Sequence, residues 1–244
     1  MNQASVIHVD IQGEIFVGRL YFLHGFMGTS RSHFSNQIPS LEENSDLILL
    51  DLPGHGSSEQ MATDDYFENT LKWVISQIKQ QGQGAIVGLS LGASLAIHIA
   101  KREPSLVKGI ILTGYSPFIP DELKGIMEKQ YNYFLNIEDN DINIANHFKD
   151  VHGEKWLDTL KKVLFTMTFE YPSITDTDLE NLTVPTLVLN GSKDFHEVEA
   201  ATYIKGKNKD IEIGLIPNAG HTANIDQPDV YNLLVKEFIN NTMK

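Results

Sequence analysis

Short, unbroken apolar runs that alternate with helix-patterned stretches constrain this chain more than any other feature. The runs RLYFLHG (19–25), DLILLDLPGHG (46–56), AIVGLS (85–90), LVKGIILTG (106–114), VPTLVLNG (184–191) and IEIGLIPN (211–218) lack the every-other-residue polarity of a sheet facing water. Such strands are covered on both faces, and the helices between them are the covering. Helices are expected over residues 30–41, 63–81, 91–102, near 197–205, and over a final segment that carries Pro228 near its first turn. In the second of these, Phe67, Leu71, Val74, Ile75 and Ile78 share one face, with Thr63 as the expected N-cap. The fold expected is α/β, a mostly parallel doubly wound sheet. The rhythm stops between residues 115 and 182, where 120–135 and 154–167 have helical spacing and no buried strand is evident. The expected organisation is therefore a core of residues 1–114 and 183–244 with a helical cap insertion over 115–182. The early stretch SVIHVDIQGEIFVG (5–18) reads as a short hairpin at the sheet edge.

With 244 residues, 41% of them hydrophobic, the chain can bury a core without staples. It has no cysteine, which excludes disulfides, thiolate catalysis and cysteine metal sites. A net charge of −13 argues against nucleic acid and anionic membranes as partners. No basic-then-apolar leader opens the sequence, and its longest apolar stretch is interrupted too often to span a bilayer. The expectation is a cytoplasmic protein with a small-molecule partner; whether it has a protein partner is left open.

One motif breaks the apolar pattern. Gly88-Leu89-Ser90-Leu91-Gly92 fits G-x-S-x-G where a strand passes into a helix. The glycines remove β-carbons that would collide in so sharp a bend, and the turn lifts the Ser90 hydroxyl above the sheet as a candidate nucleophile. A serine needs a base. His221, in IPNAGH after the last strand, is the candidate, whereas His24 and His55 in glycine turns read as loop-holding residues and His98 as a core residue. Asp194, in NGSKD after the preceding strand, is the candidate acid. In open α/β sheets reactive groups gather at the carboxyl ends of strands, and Ser90, Asp194 and His221 all lie there. The backbone N–H groups of Phe26, in HGFMG, and Leu91 are the expected oxyanion donors. His24, Gly25, Met27, Leu89 and Tyr115 are expected to line the substrate pocket. Two patterns carry no metal site: HEVEA (196–200) has Ala200 where H-E-x-x-H needs histidine, and DNDIN (139–143) lacks the glycine and glutamate of a calcium loop.

HGFMG, DLPGHGSS, GLSLG, and NGSKD with NAGH agree in kind and order with the α/β-hydrolase superfamily, which the chain resembles over nearly its whole length. That resemblance implies a Ser-His-Asp triad, no cofactor and a variable helical cap. HGFMG, DLPGHGSS and IPNAGH are also similar to the menaquinone-pathway synthase branch, a lyase that usually has an arginine four residues after the serine. Ser94 stands there in this chain, and the only arginines are Arg19, Arg31 and Arg102. The expected activity is hydrolysis of an ester, thioester or lactone of a small, largely apolar molecule. The alternatives are a lyase of the synthase type, which would need Arg31 or Arg102 to point at Ser90, and a slow, ligand-sensing hydrolase with a protein partner.

Overall fold

The computed structural model describes residues 18–242; most of the hairpin expected over 5–18 lies outside them. Six strands, β1 (Gly18–Leu23), β2 (Ser45–Leu50), β3 (Gly84–Leu89), β4 (Val107–Thr113), β5 (Thr186–Gly191) and β6 (Glu212–Ile216), form one sheet in the order β2-β1-β3-β4-β5-β6. Every neighbouring pair is parallel. This is the doubly wound α/β sheet that the apolar runs require.

The helices in chain order are α1 (Ser30–Phe34), α2 (Ile38–Leu41), α3 (Tyr66–Gln81), α4 (Leu91–Arg102), α5 (Asp121–Leu135), α6 (Ile137–Asn140), α7 (Ile142–His152), α8 (Trp156–Phe169), α9 (Asp176–Glu180), α10 (Phe195–Lys207), α11 (Ala223–Asp226) and α12 (Pro228–Thr242). Strand residues alternate between two cores. Tyr21, Leu23, Ile86, Ile110 and Val188 pack with α3, α4 and α10. Leu20, Phe22, Val87, Ile111 and Leu189 pack with α1, α11 and α12 on the other face. Helices α5 to α9 all fall between β4 and β5. Part of this insertion has its own apolar cluster around Ile137, Phe148, Trp156 and Leu160, which also takes in Met27 from the loop after β1.

Two local expectations need correction. The helix expected over 30–41 divides into α1 and α2, because Pro39 lies in the first turn of α2. Its ring has no N–H and would clash with the carbonyl four residues back in a continuous helix. Thr63 does not cap α3. Asp65, at φ 52°, occupies that position without a side-chain cap bond, and the Thr63 hydroxyl instead accepts from Asn69 at 3.0 Å. No helix among the described residues is long and apolar enough to cross a membrane.

Candidate active site

Strand β3 is fully buried along its length and ends at Leu89. The next residue, Ser90, has φ 55° and ψ −112°, a conformation that side-chain-bearing residues rarely adopt. Steric necessity explains its neighbours. A Cβ at Gly92 would lie 1.9 Å from the Leu23 carbonyl oxygen, and one at Gly88 would lie 2.4 Å from that of Gly92. Strand, turn and helix approach so closely that neither position accepts a side chain. The turn carries Ser90 to the wall of a cavity of about 530 Å³ at the carboxyl end of the sheet.

Phe26, Leu91, Asp194, Glu197 and His221 line the same cavity. They come from the loop after β1, the start of α4, the turn after β5, the first turn of α10 and the loop after β6. The Phe26 and Leu91 amides donate to no other backbone group among the described residues. His221 is held close by Gly114, which has φ +58°, a conformation that favours glycine; a Cβ on it would stand 2.9 Å from His221 Nδ1.

The acid expected at Asp194 is placed differently. His221 Nδ1 is 2.5 Å from Glu197 Oε1. Asp194 is the N-cap of α10, and its Oδ1 accepts from the amides of His196 at 3.1 Å and Glu197 at 3.2 Å. The reason is where α10 begins: it starts at Phe195 rather than near residue 197, so Asp194 turns to the free helix amides. Residues 194–197, D-F-H-E, carry the acidic-cap-then-glutamate spacing of a capping box. That spacing was the available signal for Glu197. In this protein the glutamate leaves the box and reaches His221.

Burial works against a charged His221 imidazole. The bond to Glu197 and the charges of Glu197 and Asp194 outweigh it, and its pKa is raised. Several other histidines near the site are structural parts, as expected for His24 and His55. Burial lowers His24 to about 3 and His33 to about 4. His24 donates through Nδ1 to the Gly25 carbonyl and accepts the Leu52 amide at Nε2. His152, from the end of α7, donates to the Met27 carbonyl at 3.1 Å and accepts from the Gly56 amide at 2.9 Å. It thereby ties the insertion to two loops of the core.

None of the five expected pocket residues lines the cavity. His24 is committed to the bonds just described. The backbone of Gly25 packs behind Ser90, where a Cβ would lie 3.2 Å from the Ser90 Cβ. Leu89 faces the α12 core, Met27 packs into the insertion's cluster, and Tyr115 turns inward with no exposed surface. The cavity walls come instead from α5 and α8: Leu123, Ile126, Met127, Phe134, Leu164 and Met167 among them. No arginine reaches the cavity. Arg102 pairs with Glu68 and Arg19 with Asp46, both on the surface.

The sequence profile of the alpha/beta hydrolase family matches residues 20–232. The pimeloyl-[acyl-carrier protein] methyl ester esterase of Nitrosospira multiformis is 28% identical over 261 residues, covering 95% of this chain and 97% of that protein. Mouse serine hydrolase BPHL is 23% identical, with 90% and 78% covered. Among solved structures, NosK from Streptomyces actuosus superposes with a TM-score of 0.86 at 31% identity, covering 93% of this chain and all of that one. MenH from S. aureus gives a TM-score of 0.74 at 21% identity over 93% and 95% of the two chains, a likeness of fold. With a six-stranded parallel sheet, a strained serine turn after β3 and a family profile that spans most of its length, the chain belongs to the alpha/beta hydrolase family.

Proposed function

We propose that the protein hydrolyses a carboxylic ester, or a related thioester or lactone, of a small and largely apolar molecule. The observation that carries this reading is the convergence of Ser90, on its strained turn, and His221 on one cavity whose far walls are apolar. Residues 115–182 act as the cap that closes the cavity. The esterase named among the relatives supports the same reaction class.

Ser90 Oγ attacks the carbonyl carbon as His221 Nε2 takes the hydroxyl proton. The C–O bond forms, and the carbonyl electron pair moves onto the oxygen, which rests on the Phe26 and Leu91 amides. One such donor contributes about 10²–10³ in rate. As the tetrahedral intermediate collapses, His221 returns the proton to the departing alkoxide or thiolate. Water, deprotonated by the same imidazole, then releases the acid from Ser90.

The lyase reading has less support. No arginine or lysine lines the cavity, and two carboxylates, Asp194 and Glu197, do, which suits a neutral guest better than a polycarboxylate. With p-nitrophenyl acetate and butyrate, Ser90→Ala is expected to lower kcat by at least roughly 10³-fold while far-UV circular dichroism is unchanged. Near-wild-type turnover by that variant would sink the proposal. Because His221 must be neutral to act and its pKa is raised, kcat/KM should climb with pH through a midpoint above the ordinary histidine value. A rate flat from about pH 5 to 8 contradicts a histidine base.

A further inference from the structure

Glu197 is a buried carboxylate. Its side chain is 8% exposed. Its Oε2 has no hydrogen-bond partner among the described residues, and it forms no ion pair with a lysine or arginine there. A buried carboxylate in that condition is costly unless a positive charge forms beside it. Among the described residues, the one group in contact able to supply that charge is the His221 imidazole, 2.5 Å away. Asp194 is in the opposite condition. Its carboxylate is already compensated by two amides at the start of α10, where the helix dipole also favours negative charge.

The backbone fixes this division. Asn190, at the end of β5, accepts the Tyr115 amide and donates to the carbonyls of both Tyr115 and Glu197, each at 3.0 Å. The first turn of α10 is thus held from two sides: Asp194 accepts the Glu197 N–H, and Asn190 binds the Glu197 carbonyl. The side chain between them is aimed at the loop after β6.

We propose that Glu197, and not the motif aspartate Asp194, is the carboxylate that orients His221 and compensates its positive charge, while Asp194 holds Glu197 in place by capping α10. The inference rests on the reading of Ser90 and His221 as nucleophile and base. Glu197 accepts the Nδ1 proton, which leaves Nε2 free for the Ser90 proton. It acts through the imidazole and takes no part in the bonds that form and break, so both carboxylates are positioning residues.

The test compares Glu197→Gln, Asp194→Asn and Ser90→Ala on p-nitrophenyl butyrate, with kcat and KM resolved and pH profiles recorded. Glu197→Gln should lower kcat about 10³–10⁴-fold with KM within a few-fold of wild type. Its residual activity should have an acid limb displaced to lower pH, because the bond that raises the His221 pKa is gone. Asp194→Asn should lose no more than about 10-fold in kcat and keep an acid limb near the wild-type one. The proposal is overturned if Asp194→Asn loses as much as Glu197→Gln, or if Glu197→Gln turns over at near the wild-type rate. If Ser90→Ala stays active, the underlying hydrolase reading fails instead, which separates the two failures. Should Glu197→Gln not fold, the His221 titration followed by NMR in the Ser90→Ala background decides: adding Asp194→Asn should leave its pKa raised, and a fall to the ordinary histidine value would overturn the proposal.

Discussion

At Gly114 the end of β4 and the loop bearing His221 come together with no room for a methyl group. A Cβ there would meet the His221 carbonyl oxygen at 2.7 Å and its Nδ1 at 2.9 Å. Gly114→Ala should therefore displace the imidazole from Glu197 more than it disturbs the core. An activity loss of roughly 10²-fold is expected, since a misplacement of about 1 Å can cost that much. Tm should fall only by several degrees, as expected for about 1–2 kcal/mol of positive-φ strain in a domain of this size. A variant with full activity would show that the close approach has no role in holding His221. At this scale, legibility depends on whether sterics or neighbours decide a residue's role. Gly88, Ser90 and Gly92 were readable because a strand-to-helix bend this tight admits few residue types. Asp194 was harder to read, because an aspartate after a strand suits both an acid and a helix cap. The start of α10, two residues earlier than expected, is what favours the cap in the assignment proposed above.

The elements around the cavity divide into two halves. Strand ends and the first turns of α4 and α10 hold Ser90, His221 and Glu197, whereas α5 and α8 supply the apolar walls. Filling the cavity from the second half should change which guests fit without touching the chemistry. Leu164→Trp or Met127→Trp is expected to lower kcat/KM for hexanoate esters at least tenfold relative to acetate, because each excluded methylene is worth about 1–3 kcal/mol. An unchanged hexanoate-to-acetate ratio would mean that the guest lies elsewhere. The strands and long helices were legible from apolar periodicity. The pocket was not. Periodicity fixes which face of an element is apolar, but not whether that face meets the core or a cavity, so Leu89, Met27 and Tyr115 were placed on the wrong side. The break between α1 and α2 hung on Pro39, one residue inside an otherwise helical pattern.

Across the whole molecule, buried histidines set the response to acid. His24 and His33 are pushed down to about 3 and 4, and His55 and His152 are also lowered, in each case first by burial. In the unfolded chain all four return to about 6.5. Below that pH the unfolded chain binds more protons than the folded one, so stability falls as pH drops. His221, with a raised pKa, acts in the other direction: its contribution is present below about 6.5 and fades as pH rises through its folded value. These four groups, joined by His98, whose pKa burial also lowers, oppose one. Asp51, held near 2 by bonds from Ser30 and Ser57 that outweigh its burial, adds a further loss below about pH 4. Calorimetry should find Tm falling steadily from about pH 6.5 to 4; a higher Tm at pH 5 than at pH 7.5 would contradict the neutral-histidine assignment. The parallel architecture was legible from the continuous apolar strands. The histidine cluster was not, because it joins residues 24, 55 and 152, which no local pattern connects.

Helix α5 buries none of its side chains, yet Leu123, Ile126, Met127, Gln130, Tyr131 and Phe134 all face the cavity. On the proposed reading, the α5 residues that meet the guest are therefore largely different from those that keep the chain folded. Inherited changes along α5 can accumulate at small cost to the core, so lineages descending from such a chain are free to diverge in what they accept while keeping one inherited reaction.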